Sequence, residues 1–373
     1  MAKIFFLDDI PKNIQILDQK ESKIFPLNFK VEKYLESEKI ISTDTSKWLN
    51  WEDFMFIDKV AIDIPMKWGL MKHLKNNLDF KGINLSLLIE KELFLSLLPL
   101  IHRIILIEKI IENTNAKIAV INEKDNTYFG KILKKILKKY NITTEHIDVE
   151  KTTKQILKGE KITFGIDFLG KSLDITLKRK YFFILKDLYE KYWDIKFKIN
   201  HLKIQQNEKH AKNILLLDFQ LINYYSFLKG LSNTNYNLIF LNSRRPIIWN
   251  QESYKISENI NLKKIQLGKK KDDDESKKKI IDIQEYLDKI QEKSIFYIKE
   301  DNYSDILKPI ILELIDKRIS EIIMIINGFE EKLKTQKIDA VVTLDDSQLF
   351  ERSIILSCKQ RNIPIVMIQN GDI

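Results

Sequence analysis

The chain has 373 residues, 44% of them hydrophobic, with 62 Lys and Arg against 53 Asp and Glu for a formal charge of +9. That length accommodates one large or two smaller cores, and a single cysteine excludes a disulfide framework and suits a reducing, cytoplasmic compartment. The positive balance is compatible with phosphate-bearing partners, but the lysines are spread as on solvated helix faces. No RNP, zinc-finger or compact arginine-rich stripe supports a nucleic-acid partner.

In chain order, Lys3-Ile4-Phe5-Phe6-Leu7-Asp8 reaches an acid too early for a secretory leader and reads as a strand. Further strands are expected at Ile24–Leu27 and Lys39–Ser42. Apolar residues at helical spacing follow over Trp51–Asn77, with a break expected at Pro65, and over Gly82–Asn113, which is too charged to span a bilayer. Asp44 or Thr45, and Asn84, suit helix starts.

The run Lys117–Ile121, an acidic loop at Asn122–Asn126 and a lysine-rich helix over Thr127–Tyr140 make a clear βα unit, with a strand after it at Glu145–Val149. Alternation on either side of Leu169-Gly170-Lys171 predicts a β-hairpin insertion. Arg179–Asp194 is amphipathic and aromatic, a surface helix also suited to peripheral membrane contact. Two apolar runs, Asn213–Phe219 and Asn237–Asn242, flank a helix near Leu221–Leu231, as in a doubly wound parallel sheet. The run Lys269–Lys279 reads as a solvated loop, Asp305–Lys334 as one long helix. A last unit places strand Ala340–Leu344, loop Asp345–Ser347, helix Gln348–Arg361 and strand Pro364–Ile368 in succession.

Laid without gaps, Ala119–Ile142 matches Ala340–Ile363, pairing Asp125 with Asp346, Phe129 with Phe350, Lys138 with Lys359 and Asn141 with Asn362. Each unit puts acids at the carboxyl end of a strand, where open α/β sheets hold ligands. One crevice is expected to receive the strands bearing Ile118, Leu215 and Val342, with Asp125 and Asp346 on its rim.

No Walker, GxGxxG, HExxH, GxSxG or CxxC pattern occurs, and the five histidines have no ligand spacing, so no metal site is expected. A strand-end carboxylate such as Asp345 or Asp346 can deprotonate a sugar hydroxyl. Asp346 or Ser347 is equally placed to cap the following helix. Arg244 and Arg245, beside a helix expected to start at Pro246, suit a phosphate or carboxylate, or surface salt bridges.

The final run, Asn362-Ile363-Pro364-Ile365-Val366-Met367-Ile368-Gln369-Asn370-Gly371, resembles the gIPxvxxQHG signature of GT-B-fold enzymes that build surface polysaccharides. That group includes capsule-synthesis glycosyltransferases, CDP-glycerol glycerophosphotransferases and UDP-GlcNAc 2-epimerase-like proteins. The Asn242–Asn250 segment and the tryptophan-bearing helices before Gly82-Ile83-Asn84 are similar to members of the group, whereas Asn370 stands where the family has histidine.

The resemblance implies an α/β fold in which residues 116–373 form a Rossmann-like, acceptor-side GT-B N-terminal domain, residues 1–115 add strands and long helices, and the donor-binding domain is not included. It implies transfer of a sugar or sugar-like phosphate from a nucleotide donor to a glycan or lipid-linked acceptor, at the inner face of the membrane. No cofactor is implied beyond the nucleotide-sugar co-substrate, and a second chain is expected to supply the donor domain, without which this one is inactive. Asp346, then Asp125, would serve as base; Arg244 and Arg245 would hold phosphate; and Asp345, Ser347, Gln369, Asn370 and Gly371 would contact substrate. The alternatives are a half of a nucleotide-sugar epimerase or a non-catalytic binding module.

Overall fold

The apolar runs assemble into two parallel sheets, one of four strands and one of five, which fall in two separate units of the chain. The computed structural model describes residues 3–17, 22–70, 75–122, 127–149, 161–168, 171–201, 212–243, 246–260, 262–267, 273–289 and 293–368. The first unit comprises Met1–Met71, Glu90–Gly159 and Lys289–Leu314, and the second Lys72–Ile89, Glu160–Asp288 and Ile315–Ile373. Residues 1–115 and 116–373 each contribute to both units.

In the first unit the elements run β1 (Lys3–Leu7), β2 (Ser22–Pro26), α1 (Phe29–Ser37), α2 (Trp51–Leu70), α3 (Ser86–Thr114, whose first four residues belong to the second unit), β3 (Ile118–Asn122), α4 (Tyr128–Lys139) and β4 (Thr143–Ile147). The sheet order is β2-β1-β3-β4, all parallel, with Lys3 registered against both Ser22 and Ile118. A parallel strand needs a long crossover before its neighbour, so β1 recruits β3 from over a hundred residues away. The strand bearing Ile118 therefore lies in this sheet and not with those bearing Leu215 and Val342. Phe5, Leu7, Ile24 and Val120 meet Val31 and Leu35 of α1 in one apolar core.

Local chemistry sets the helix ends. The Asn28 side chain accepts the Val31 N–H at 3.0 Å to start α1, and Thr127 accepts the Gly130 N–H at 3.2 Å to start α4. Ile132, Leu133, Ile136 and Leu137 form the buried stripe of α4. Asp44 caps a single 3-10 turn at Thr45–Trp48. Two expectations are corrected. Lys39–Ser42 is no strand: α1 ends immediately before it, Lys39 turns the chain at φ 59°, and Ile41 is exposed. Pro65 does not break α2 but sits buried inside it.

The second unit carries the hairpin β5 (Lys161–Phe168) and β6 (Lys171–Lys178), antiparallel as expected, then α5 (Arg179–His201), β7 (Lys212–Leu217), α6 (Tyr225–Ser232), β8 (Tyr236–Leu241), α7 (Gln251–Asn259), β9 (Lys263–Lys264), α8 (Asp273–Lys289), α9 (Ser304–Thr335, divided between the units at residue 314), β10 (Ala340–Thr343), α10 (Leu349–Gln360) and β11 (Ile365–Met367). Part of the expected loop Lys269–Lys279 is thus helical, since α8 begins at Asp273. The sheet order is β9-β8-β7-β10-β11, again all parallel. Its central strands β7, β8 and β10 are apolar on both faces because both are covered. Leu216, Phe240 and Val342 pack with Trp193 and Phe197 of α5 on one face, while Leu215, Leu217, Ile239 and Val341 pack with Phe329 and Cys358 on the other. That division follows the two-residue period of a strand.

Cys358 lies fully buried in α10, and burial pushes its thiol up to about 12. Since the thiolate is the reactive species, the native protein is expected to resist thiol-specific disulfide reagents at pH 8 and to release one equivalent of thiol on unfolding. Rapid native-state labelling would contradict this burial.

Candidate functional site

The second sheet starts at β7, extends outward through β8 and β9, then returns to the other side of β7 for β10 and β11. The reversal falls between β7 and β10, whose last registered pair is Leu217 with Thr343. Carboxyl strand ends at such a reversal form the usual ligand crevice of an open α/β sheet. Just past that pair come Asp218 on one strand and Leu344–Ser347 on the other.

Asp218 has φ 53°, in the left-handed region that few residues other than glycine adopt. Its N–H donates to the Leu241 carbonyl at 3.1 Å, and its carboxylate accepts the Ser243 N–H at 2.7 Å and the Ser243 hydroxyl at 3.1 Å. The loops after β7 and β8 are thereby tied together. Asn242 adds a bond from its side-chain amide to the Phe219 carbonyl at 2.9 Å; its buried Oδ1 has no hydrogen-bond partner among the described residues. Losing the charged acceptor, and with it the side-chain hydrogen bonds that support a non-glycine residue in the left-handed region, should make Asp218→Ala destabilising by about 2 kcal/mol. Asp218→Asn, which keeps an acceptor, should cost about half as much. Equal losses in chemical denaturation would refute the role given to these hydrogen bonds.

On the β10 side, the buried Thr343 hydroxyl donates to the Asp345 carbonyl at 2.7 Å, and the Asp345 carboxylate accepts the Ser347 N–H at 2.7 Å. These bonds fold the Asp345–Ser347 loop on itself. Asp346 is exposed, while Asp345 and Ser347 are half-buried. Neither Asp346 nor Ser347 caps α10: the cap residue is Gln348, which makes no side-chain capping bond, because the loop's short hydrogen bonds are closed before the helix begins. The Ile368 N–H donates to the Thr343 carbonyl at 2.9 Å, so the chain leaves β11 at this same edge.

The structure thus brings Asp345, Asp346 and Ser347 into one loop beside Asp218. Nothing in the apolar run Asn213–Phe219 singles out Asp218 by itself; its place at the reversal requires the strand order. Asp125, Arg244, Arg245, Gln369, Asn370 and Gly371 lie outside the described residues. Pro246 does not open a helix. Asn250 does, in a capping box with Ser253: its side chain accepts the Ser253 N–H at 2.8 Å, and the Ser253 hydroxyl accepts the Asn250 N–H at 3.1 Å. Trp249, just before this cap, is partly exposed.

The first sheet repeats the pattern. Ile4-Phe5-Phe6-Leu7-Asp8 aligns with Ile214-Leu215-Leu216-Leu217-Asp218, and β1 and β3 flank the reversal as β7 and β10 do. The gap-free match of the following βα units also holds in the backbone. Asn141 and Asn362 both have φ 54°, and the next residues donate to corresponding carbonyls, Ile142 to Leu137 at 2.9 Å and Ile363 to Cys358 at 3.0 Å. These are matching left-handed helix ends.

At the first sheet's reversal, however, the protein fills the position itself. The buried Arg103 guanidinium donates to the Asp8 carboxylate, donates to the Leu27 carbonyl at 3.4 Å and lies 4.4 Å from the centre of the Phe129 ring. Elsewhere in this unit Glu108, also buried, accepts from Lys139 at 2.8 Å and Lys299 at 2.9 Å, and Lys139 also reaches Asp301 at 2.5 Å. Burial works against charge on Lys139, but the bonds to Asp301 and Glu108 outweigh it and raise its pKa. A cavity of about 330 Å³ beside this network is lined by Lys135, Ile136, Lys138, Lys139, Asp301 and Tyr303. Lys135 and Lys139 are paired to acids there, which leaves the network electrostatically balanced as a brace.

Among the described residues no group of His, Cys, Asp and Glu is arranged to hold a metal ion, and no helix is long and apolar enough to cross a membrane. No family model, curated protein or solved structure matches this chain.

Proposed function

We propose that the chain acts on activated sugars, as the acceptor-side part of a GT-B-like glycosyltransferase in surface polysaccharide or glycan assembly. The observation that carries this reading is the reversal between β7 and β10, where Asp218 organises the loops and the exposed Asp346 makes no helix cap and, among the described residues, no ion pair. Both sheets then read as Rossmann-like, since their orders place the reversal beside the first strand of each sheet. The resemblance of Asn362–Gly371 to the polysaccharide-enzyme signature supplies the substrate class. Asp346 takes the proton from an acceptor hydroxyl, and the uncapped start of α10 offers N–H groups to a phosphate on the acceptor or the donor.

Calorimetric titration of the purified chain tests the assignment, with lipid-linked or free oligosaccharide acceptors in one arm and UDP- and CDP-linked sugars in the other. Saturable acceptor binding, weakened by Asp346→Ala, is expected. Tight donor binding without acceptor binding would overturn the acceptor-side assignment, and binding in neither arm would overturn the transferase reading.

A further inference from the structure

Helix α5 turns two faces away from each other. Trp193 and Phe197 enter the core of the second sheet, whereas Tyr181, Leu185, Leu188, Tyr192, Ile195 and Ile199 are each between 48% and 57% exposed. Their spacing alternates between four and three residues, so they align as one stripe along 23 residues of helix. Ile184 and Tyr189, equally exposed, widen it to an arc of roughly 140° at 100° per residue. Scattered exposed apolar residues are ordinary on a protein surface; eight on a single helical face mark an interaction surface.

The charges beside the stripe select the occupant. Lys191 borders one side and Lys196 the other, with the Lys196 ammonium 4.9 Å from the ring centres of both Trp193 and Tyr254. In heptad terms these are the g and e positions, and a parallel second copy would set Lys191 against Lys196. By sequence spacing alone, Asp187, Glu190 and Asp194 occupy heptad positions c and f. Like-charged flanks disfavour self-pairing and favour an anionic surface. The arc is also wider than a coiled-coil seam, and three of its eight side chains are tyrosines, whose apolar rings and polar tips suit a headgroup boundary. We propose that α5 docks the protein in the plane of an anionic lipid bilayer, with the tyrosine-bearing stripe in the acyl–headgroup boundary and the flanking lysines against lipid phosphates.

Flotation of the full chain with phosphatidylcholine vesicles, with or without one third phosphatidylglycerol, tests this. Binding to anionic vesicles should exceed binding to neutral ones at least tenfold and weaken about tenfold between 0.1 M and 0.5 M salt. The exposed double substitution Leu188→Glu with Ile195→Glu should abolish it while leaving the far-UV circular dichroism unchanged. Lys191→Glu, which touches no core residue, should weaken it about fivefold and provides the test should the double variant misfold. Equal binding to both vesicle types, or binding unaffected by these substitutions, would overturn the proposal. So would self-association that Lys191→Glu strengthens, which would identify a second copy as the occupant.

Discussion

Replacing Arg103 with alanine is expected to lower the unfolding free energy of the first unit by about 3 kcal/mol. The Arg103 and Asp8 side chains retain only 8% and 17% of their exposure, so removing the cation takes the guanidinium from a carboxylate that water reaches poorly. The guanidinium also covers the Phe129 ring and serves the Leu27 carbonyl, and alanine abandons both. The penalty belongs mainly to the charge that loses the guanidinium. Removing both partners, with Arg103→Met and Asp8→Leu, should therefore recover stability to within about 1 kcal/mol of the native chain. Trp48, Trp51 and Trp68 lie in the first unit and Trp193 and Trp249 in the second, so urea unfolding followed by fluorescence in a Trp193→Phe, Trp249→Phe background reports on the first unit. If the double variant proves as unstable as Arg103→Ala, packing and not charge governs the site.

On the proposed transferase reading, with the chain that supplies the donor domain present, Asp346→Asn is expected to lower the rate of sugar transfer about a hundredfold, the lower end of what a positioned general base contributes. Amide for carboxylate keeps size and acceptor geometry but cannot take a proton, so acceptor binding should stay within about twofold. Asp345→Asn is the informative comparison. Its carboxylate accepts the Ser347 N–H and shapes the loop, so that substitution should weaken acceptor binding as well as slow transfer. Initial rates over a range of acceptor concentrations, at saturating UDP- or CDP-linked donor, separate the two effects. A wild-type rate in Asp346→Asn would remove Asp346 as the base.

Much of the architecture was legible along the chain because it is written in short-range patterns. The runs ending in Asp8 and Asp218 are almost wholly apolar, as parallel strands covered on both faces must be. The helix start at Thr127 is local too, a side chain that caps from its own position, whereas the start expected at Pro246 falls at Asn250. The likeness of Ala119–Ile142 to Ala340–Ile363 held down to the left-handed asparagines, since a helix ending in that conformation tolerates few residues there. What failed was also local. Pro65 looked like a break, yet stays buried within α2, and the apolar Lys39–Ser42 had no place on a sheet edge already served by β2.

The sequence by itself determined that this is an α/β protein, where most of its strands and helices lie, and that acids follow several strands. Only the tertiary structure decided which strands are neighbours. It separated Ile118 from Leu215 and Val342 into two sheets, and so placed Asp8 and Asp218 at equivalent reversals. It also decided that Arg103 neutralises the first of these acids while the second holds two loops in place. The physical reason is that parallel pairing joins strands across long crossovers, so their order depends on how helices cover the faces and not on residues near either strand. A site assembled at a sheet reversal is visible only once that order exists.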